Sequence, residues 1–367
     1  MDKRAHEPIM VELGERSYPV HVKPGLLKNA GPLISKRLPQ AGRASVVTSD
    51  PIHELYGETL LKSLEDAEIK AEVALVPDGE EAKSWTSAGE LVGELLGHGL
   101  DRGSTVVAFG GGAIGDLAGF VASIYMRGVS LVQVPTTLLA QVDSSLGGKA
   151  AVNHPLGKNL IGSFHQPSIV ISDPKLLSTL PAREVLSGLG EVVKHGVIAD
   201  DELFRFIEEN IDALKGAEPG VMNHVVRSSV TIKARLVTLD ERETKGLRAI
   251  LNYGHTVGHA LETASRHMLR HGEAVALGMK AATRIARELD LIEGEEVERQ
   301  ARLLDTLGFK PVHGYSVESL IDLMHRDKKV IGGSIRMVLP TGIGTPPVVR
   351  SVEDSIVAEA LVDEGFG

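Results

Sequence analysis

The residues best suited to chemistry lie in the second half of the chain. The run Asn252-Tyr253-Gly254-His255-Thr256-Val257-Gly258-His259 sets two histidines four apart, hence on one face of any helix that holds both. A third, His271, stands in Arg270-His271-Gly272-Glu273 just before another helical pattern. Upstream, Glu191 and Lys194 in Gly190-Glu191-Val192-Val193-Lys194-His195 lie three apart and share a helical face. Two histidines, one carboxylate and an open fourth position make the usual nitrogen- and oxygen-ligated catalytic zinc site. The chain has no cysteine, so disulfides and thiolate ligands are excluded and any metal must be held by His, Asp or Glu. Spacing alone does not say which histidines ligate. An isolated histidine on an apolar helix is more often a hydrogen-bonded core or surface residue; several candidates flanked by glycine shift the balance towards metal.

The first half offers a different chemistry. Gly110-Gly111-Gly112-Ala113-Ile114-Gly115-Asp116 follows a β-branched run and precedes a helical one. That is Gly-x-Gly-x-x-Gly in the strand–turn–helix context where backbone can touch a pyrophosphate. The acidic residue that usually ends the next strand of a dinucleotide fold is missing, because Val134 leads into Pro135-Thr136-Thr137. Either a dinucleotide lies differently from the usual arrangement, or these glycines only turn the chain. Asp50 ends an earlier strand, and the loop Asp78-Gly79-Glu80-Glu81-Ala82-Lys83 follows another. Two further loops, Gln141 to Lys149 and His154 to Asn159, combine glycine with lysine and amide groups suited to phosphate and carboxylate oxygens.

The elements that must carry these residues alternate at first. Short runs at Ser45–Thr48, Glu72–Val76, Thr105–Phe109, Leu131–Val134 and Ile169–Ile171 predict strands, and 54–67 and 85–96 have helical spacing. From about Pro181 onward helical patterns dominate: 183–195, 201–214, 221–239, 257–266, 273–289 and 295–307, with one late strand at 336–339. The expected architecture is therefore an α/β N-terminal domain, Rossmann-like with a mostly parallel sheet, over residues 1–180, and a mainly α-helical domain over 181–367. A crevice between two domains is where a site is expected.

Composition narrows the classes further. With 43% hydrophobic and 24% charged residues the chain is an ordinary globular one, long enough for two cores. A net charge of −10 argues against a nucleic-acid partner, which needs many cations on one face. The longest uncharged apolar stretch, Leu117 to Met126, is about half of a membrane span, and the first ten residues carry charges where a signal peptide needs an apolar core. No membrane association and a cytoplasmic location are expected.

Taken together, the runs Gly110–Gly128, Gln133–Gly148, Asn153–Pro167, Gly190–Gly196, Asp240–Glu243 with Gly246-Leu247-Arg248, and Asn252–Ala260 resemble the 3-dehydroquinate synthase family, a branch of the sugar phosphate cyclases. The resemblance implies the dehydroquinate synthase-like fold, NAD, one zinc or cobalt ion per subunit, and a homodimer. It implies Glu191, His255 and His271 as metal ligands, with His259 left for proton transfer. It implies substrate contacts from Asp143, Lys149, Asn159, Lys194, Lys233, Arg248, Asn252 and Lys328. NAD contacts are implied for Asp50, Asp78, Gly79, Glu80, Glu81, Lys83, Gly112, Ala113, Ile114, Gly115, Asp116, Thr136, Thr137, Lys149, Lys158 and Thr179. The activity implied is conversion of 3-deoxy-D-arabino-heptulosonate 7-phosphate to 3-dehydroquinate and phosphate, with NAD regenerated in each cycle. Rival readings are a cyclase acting on sedoheptulose 7-phosphate or glucose 6-phosphate, a polyol dehydrogenase of the same fold, or a non-catalytic NAD-binding module. The chain departs from the family's commoner pattern at Ala150-Ala151-Val152, at Tyr253 where Leu or Phe is more usual, and by one extra residue near Thr244-Lys245.

Overall fold

The structure, a computed structural model, describes residues 7–266, 268–326 and 334–366. Lys328 lies outside the described residues. The chain forms two compact units, one built from the described residues up to Leu180 together with Met222–Arg242, the other from Pro181–Val221 and Glu243 onward.

The first unit is built on a seven-stranded sheet. Its strands are β1 (Ile9–Val11), β2 (Tyr18–Val22), β3 (Arg43–Thr48), β4 (Lys70–Leu75), β5 (Thr105–Gly110), β6 (Ser130–Pro135) and β9 (Ile169–Ser172), in the order β1-β2-β9-β6-β5-β3-β4. All neighbours are parallel except the edge pair β1 and β2. A central parallel strand is covered on both faces, which is why β5, Thr-Val-Val-Ala-Phe-Gly, is apolar after its first residue and fully buried. Its side chains alternate between two cores. Val106 and Ala108 join Leu91, Leu95, Leu117 and Val121 on one face. Val107 and Phe109 join Ile34, Leu60 and Leu64 on the other. The helices supplying those residues are α1 (Ala30–Arg37), α2 (Glu58–Glu65), α3 (Trp85–Gly97) and α4 (Gly112–Ile124).

The expected strands and the helices at 54–67 and 85–96 are present, with small shifts at their ends. One expectation is corrected. The segment around His154 to Asn159, read as a loop from its glycine and proline, is the tip and second arm of a hairpin, β7 (Lys149–His154) and β8 (Gly157–Phe164). Antiparallel pairing there satisfies the backbone, while Ala150 and Val152 of β7 turn into the core beside α4 and their neighbours face outward.

The second unit is helical. Its main helices are α5 (Ala182–Ala199), α6 (Asp201–Glu209), α8 (His255–Ala264), α9 (His271–Glu288), α10 (Gly294–Leu307), α11 (Val317–Arg326) and α12 (Asp354–Asp363), with a ribbon of β10 (Ile335–Leu339) and β11 (Val348–Val352). The long helix α7 (Pro219–Leu239) belongs almost entirely to the first unit. No helix among the described residues is long and apolar enough to cross a membrane.

Three helices of the second unit approach closely because glycines face one another. A Cβ on Gly272 of α9 would fall on the carbonyl oxygen of Ser187 in α5, and one on Gly190 of α5 would fall on the carbonyl oxygen of Gly272. Gly278 of α9 lies equally tight against the carbonyl of Gly254, just ahead of α8. Each contact replaces a side chain with backbone and draws the helix axes together.

Candidate functional site

The close approach has a chemical consequence, because the glycines are sequence neighbours of the candidate ligands. Gly190 precedes Glu191, Gly254 precedes His255, Gly258 precedes His259, and Gly272 follows His271. Their ligand atoms therefore meet. Nε2 of His255 lies 3.7 Å and Nε2 of His271 lies 3.4 Å from the same carboxylate oxygen of Glu191. All three ligand atoms fall within 4.8 Å of one another. A tetrahedral zinc with bonds of ~2.1 Å sets its ligand atoms about 3.4 Å apart, so little movement is needed to close the shell around a cation.

The electrostatics agree with that geometry. Glu191 is fully buried, a costly place for a charge unless it is paired, and the buried Lys194 is its ion-pair partner. Burial alone would push its carboxyl up; the Lys194 ammonium, paired with it, together with His271 and His255, holds it well below the usual carboxylate range. Burial and then the nearby Lys194 push His255 well below the usual imidazole value, so it is neutral, the form that ligates. For His271 burial pulls downward, but the Glu191 and Glu262 carboxylates outweigh it and raise the ring to about 10. Without a cation, the charge of Glu191 is thus balanced by Lys194 and a protonated His271.

The far side of each ring is also held. Nδ1 of His255 is 3.1 Å from the carbonyl oxygen of Tyr253, to which its N–H donates, so Nε2 is left to face Glu191. Nδ1 of His271 faces a carboxylate oxygen of Glu262 at 3.4 Å. Tyr253 is itself fixed: its buried hydroxyl meets Thr283 at 2.6 Å and the Gln300 amide group at 2.8 Å. The tyrosine that departs from the family's commoner residue thus has partners for its hydroxyl. His259, one turn beyond His255, stands with its ring centroid 5.4 Å from that of His255 and 6.2 Å from that of His271.

Other expected site residues also come together. Arg248, buried, faces Glu243 at 3.5 Å, and Asn252 ends the same short helix, Leu247–Asn252, one turn before His255. In the first unit, Lys233 of α7 pairs with Asp143, donating to its backbone carbonyl and its carboxylate. Lys83 donates to Asp116 at 2.7 Å and to Asn159 at 2.5 Å. Lys158 lies 3.9 Å from Glu80, and Lys149 is exposed at the start of β7.

The expected NAD residues line one edge of the sheet. Asp50 follows β3, Asp78 to Lys83 follow β4, Gly112 to Asp116 follow β5, and Thr136 and Thr137 follow β6. These strands are adjacent and parallel, so the loops gather at their carboxyl ends, where open α/β sheets bind ligands. Gly112 opens α4, and a Cβ there would stand 2.8 Å from Ser144 Oγ, so the turn accepts no larger residue without a shift. Thr179 lies apart, beyond β9, where its hydroxyl meets that of Tyr56 at 2.7 Å.

Sequence reasoning passed over Glu262 and Glu243. Glu262 follows His259 by three and His255 by seven, a spacing that sets it on their helical face, and that was the available signal.

Family models for the N-terminal and C-terminal parts of 3-dehydroquinate synthase match residues 73–187 and 188–330. The chain belongs to the 3-dehydroquinate synthase family. A 3-dehydroquinate synthase of Pelotomaculum thermopropionicum is 45% identical over 364 residues, covering 98% of this chain and 97% of the relative. Among solved structures, 2-deoxy-scyllo-inosose synthase in complex with carbaglucose-6-phosphate, NAD+ and Co2+ superimposes with a TM-score of 0.88 at 26% identity, covering 96% of this chain and 99% of that one. The 2-epi-5-epi-valiolone synthase of Streptomyces hygroscopicus subsp. jinggangensis, with NAD+ and Zn2+ bound, gives 0.87 at 30% identity, covering 96% and 98%. The family's dehydroquinate synthase-like fold, with a mostly parallel sheet in one unit and helices in the other, is the one described above.

Proposed function

We propose that this chain is a 3-dehydroquinate synthase, a lyase converting 3-deoxy-D-arabino-heptulosonate 7-phosphate to 3-dehydroquinate and phosphate in the shikimate route to aromatic amino acids. The observation that carries the reading is the meeting of Glu191, His255 and His271 in a thiol-free chain of this family. The donor set of two imidazoles and a carboxylate suits zinc or cobalt. When bound, the cation supplies Lewis-acid polarisation of a substrate oxygen and NAD a reversible oxidation beside it.

This chain's own residues have the remaining tasks. The loops after β3, β4, β5 and β6 hold NAD, and Lys158, Lys149 and Thr179 add further contacts to it. Arg248, Asn252, Lys194, Lys233, Lys149, Asn159 and Lys328 hold the substrate's carboxylate and phosphate, with Asp143 orienting Lys233. His259 moves protons. Most of the sequence needs a held substrate more than a dedicated acid or base, which is work for fixed cations.

A second reading, a cyclase for sedoheptulose 7-phosphate or glucose 6-phosphate, is favoured by the likeness to the inosose and valiolone synthases. The dehydroquinate-type Arg248 and Asn252 weigh against it. We place the protein in the cytoplasm, because NAD and a phosphorylated sugar acid are multiply charged and do not cross membranes unaided. We also read it as a homodimer, as the resemblance to the family implies.

The test is phosphate release from each of the three sugar phosphates with NAD well below the substrate concentration, with and without chelator. Many turnovers per NAD on the heptulosonate phosphate, abolished by chelator and restored by cobalt or zinc, are expected. Turnover of another sugar phosphate alone, or reduced nicotinamide accumulating one for one with substrate, would overturn the assignment.

A further inference from the structure

We infer that Glu262 is a positioning residue for the cation, acting through His271. The inference rests on the reading of Glu191, His255 and His271 as the ligand set. The His271 ring is bracketed by two carboxylates, with Nε2 at 3.4 Å from Glu191 and Nδ1 at 3.4 Å from Glu262. An imidazole can present Nε2 to a cation only when Nδ1 carries the hydrogen, and a carboxylate accepting from Nδ1–H fixes both that form and the ring plane.

His255 and His271 are held differently. The His255 ring is 11% exposed and its Nδ1 is committed to a backbone carbonyl. The His271 ring is 30% exposed and sits on the first residue of α9, so packing restrains it less. Its orientation therefore depends on a side chain from the neighbouring helix. Glu262, on the second half of α8, is itself only 15% exposed although Thr263 beside it is exposed. Atoms of Glu262, His259 and His271 also lie within 4.8 Å of one another, so the same carboxylate borders the histidine read as the proton carrier. One side chain thus meets a proposed ligand and lies within 4.8 Å of the histidine beside it.

The test is cobalt affinity, measured by chelator competition on the metal-free full chain for the wild type, Glu262→Gln, Glu262→Asp, His271→Ala and the Glu262→Gln/His271→Ala double variant. Each protein's melting curve is recorded alongside. Removing such an outer partner weakens metal binding ~10–100-fold, and Glu262→Gln is expected in that range with its melting temperature kept. Glu262→Asp, which retains the charge, should lose less. In the His271→Ala background Glu262→Gln should cost nothing further, because the ring through which it acts is gone. Wild-type affinity in Glu262→Gln, or an equal added loss in the His271→Ala background, overturns the inference and leaves the ligand set standing. Wild-type affinity in His271→Ala would instead sink the ligand set, and the role of Glu262 with it.

Discussion

At the scale of single residues, the central fact is a buried carboxylate, Glu191, with two imidazoles turned towards it. His271→Ala should abolish metal retention and activity together, while His259→Ala should keep its metal and lose turnover by ~10²–10⁴-fold, the range of a general acid or base; metal content after dialysis and phosphate release check both. Metal uptake must displace the proton that His271 holds below about 10, whereas Glu191 is already ionised and His255 already neutral. Metal affinity should therefore rise about tenfold per pH unit through the neutral range and level off as pH passes about 10, which a series of competition titrations will show. In the metal-free protein the same raised value works in reverse. The stability contributed by protonated His271 is complete below its ordinary value of 6.5 and is lost as pH rises through about 10. Residue type and glycine flanks made Glu191, His255, His259 and His271 legible in the sequence. Spacing could not choose among the histidines, because the choice depends on which ring meets Glu191 from another helix. Glu262 was passed over despite its helical spacing from His255 and His259, because a glutamate on an amphipathic helix reads as solvated surface until His271 is seen beside it.

At the scale of elements, the proposed metal centre depends on how closely α5, α8 and α9 approach. Gly272→Ala would drive a methyl into the Ser187 carbonyl and force α5 and α9 apart. That should cost more than the ~1–3 kcal/mol of ordinary overpacking, and it should weaken metal binding although no ligand is changed. Gly89, exposed within α3 with nothing within 4 Å of an added Cβ, is the contrast. Gly89→Ala should stabilise by ~0.5–1 kcal/mol through helix propensity alone, and denaturant titrations of the two variants should move in opposite directions. Periodicity disclosed the long helices and the apolar strands well, because burial on one or both faces writes itself into the pattern. It failed at β7 and β8, whose residues are mostly polar or small and whose pairing is antiparallel in a separate small sheet. β1 and β2 escaped too, since β1 has three residues and Pro19 and His21 interrupt the apolar run of β2.

At the scale of the whole molecule, the chain carries two units, and the sequence is not simply divided between them. Residues 221–239 read as one more helix of the second half, yet Met222–Arg242 group with the α/β unit, where Lys233 meets Asp143. A helix's own apolar stripe says that it packs and not against which core, so this return was not legible. Sedimentation should give about twice the 39.1 kDa chain mass; a single-chain value would refute the proposed homodimer. The account stands most directly on where the cation sits. An anomalous difference map from crystals of cobalt-loaded protein should contain one strong peak per chain, bonded to Glu191 and to Nε2 of His255 and His271. A peak held instead by His259 and Glu262, or none in the second unit, would contradict it.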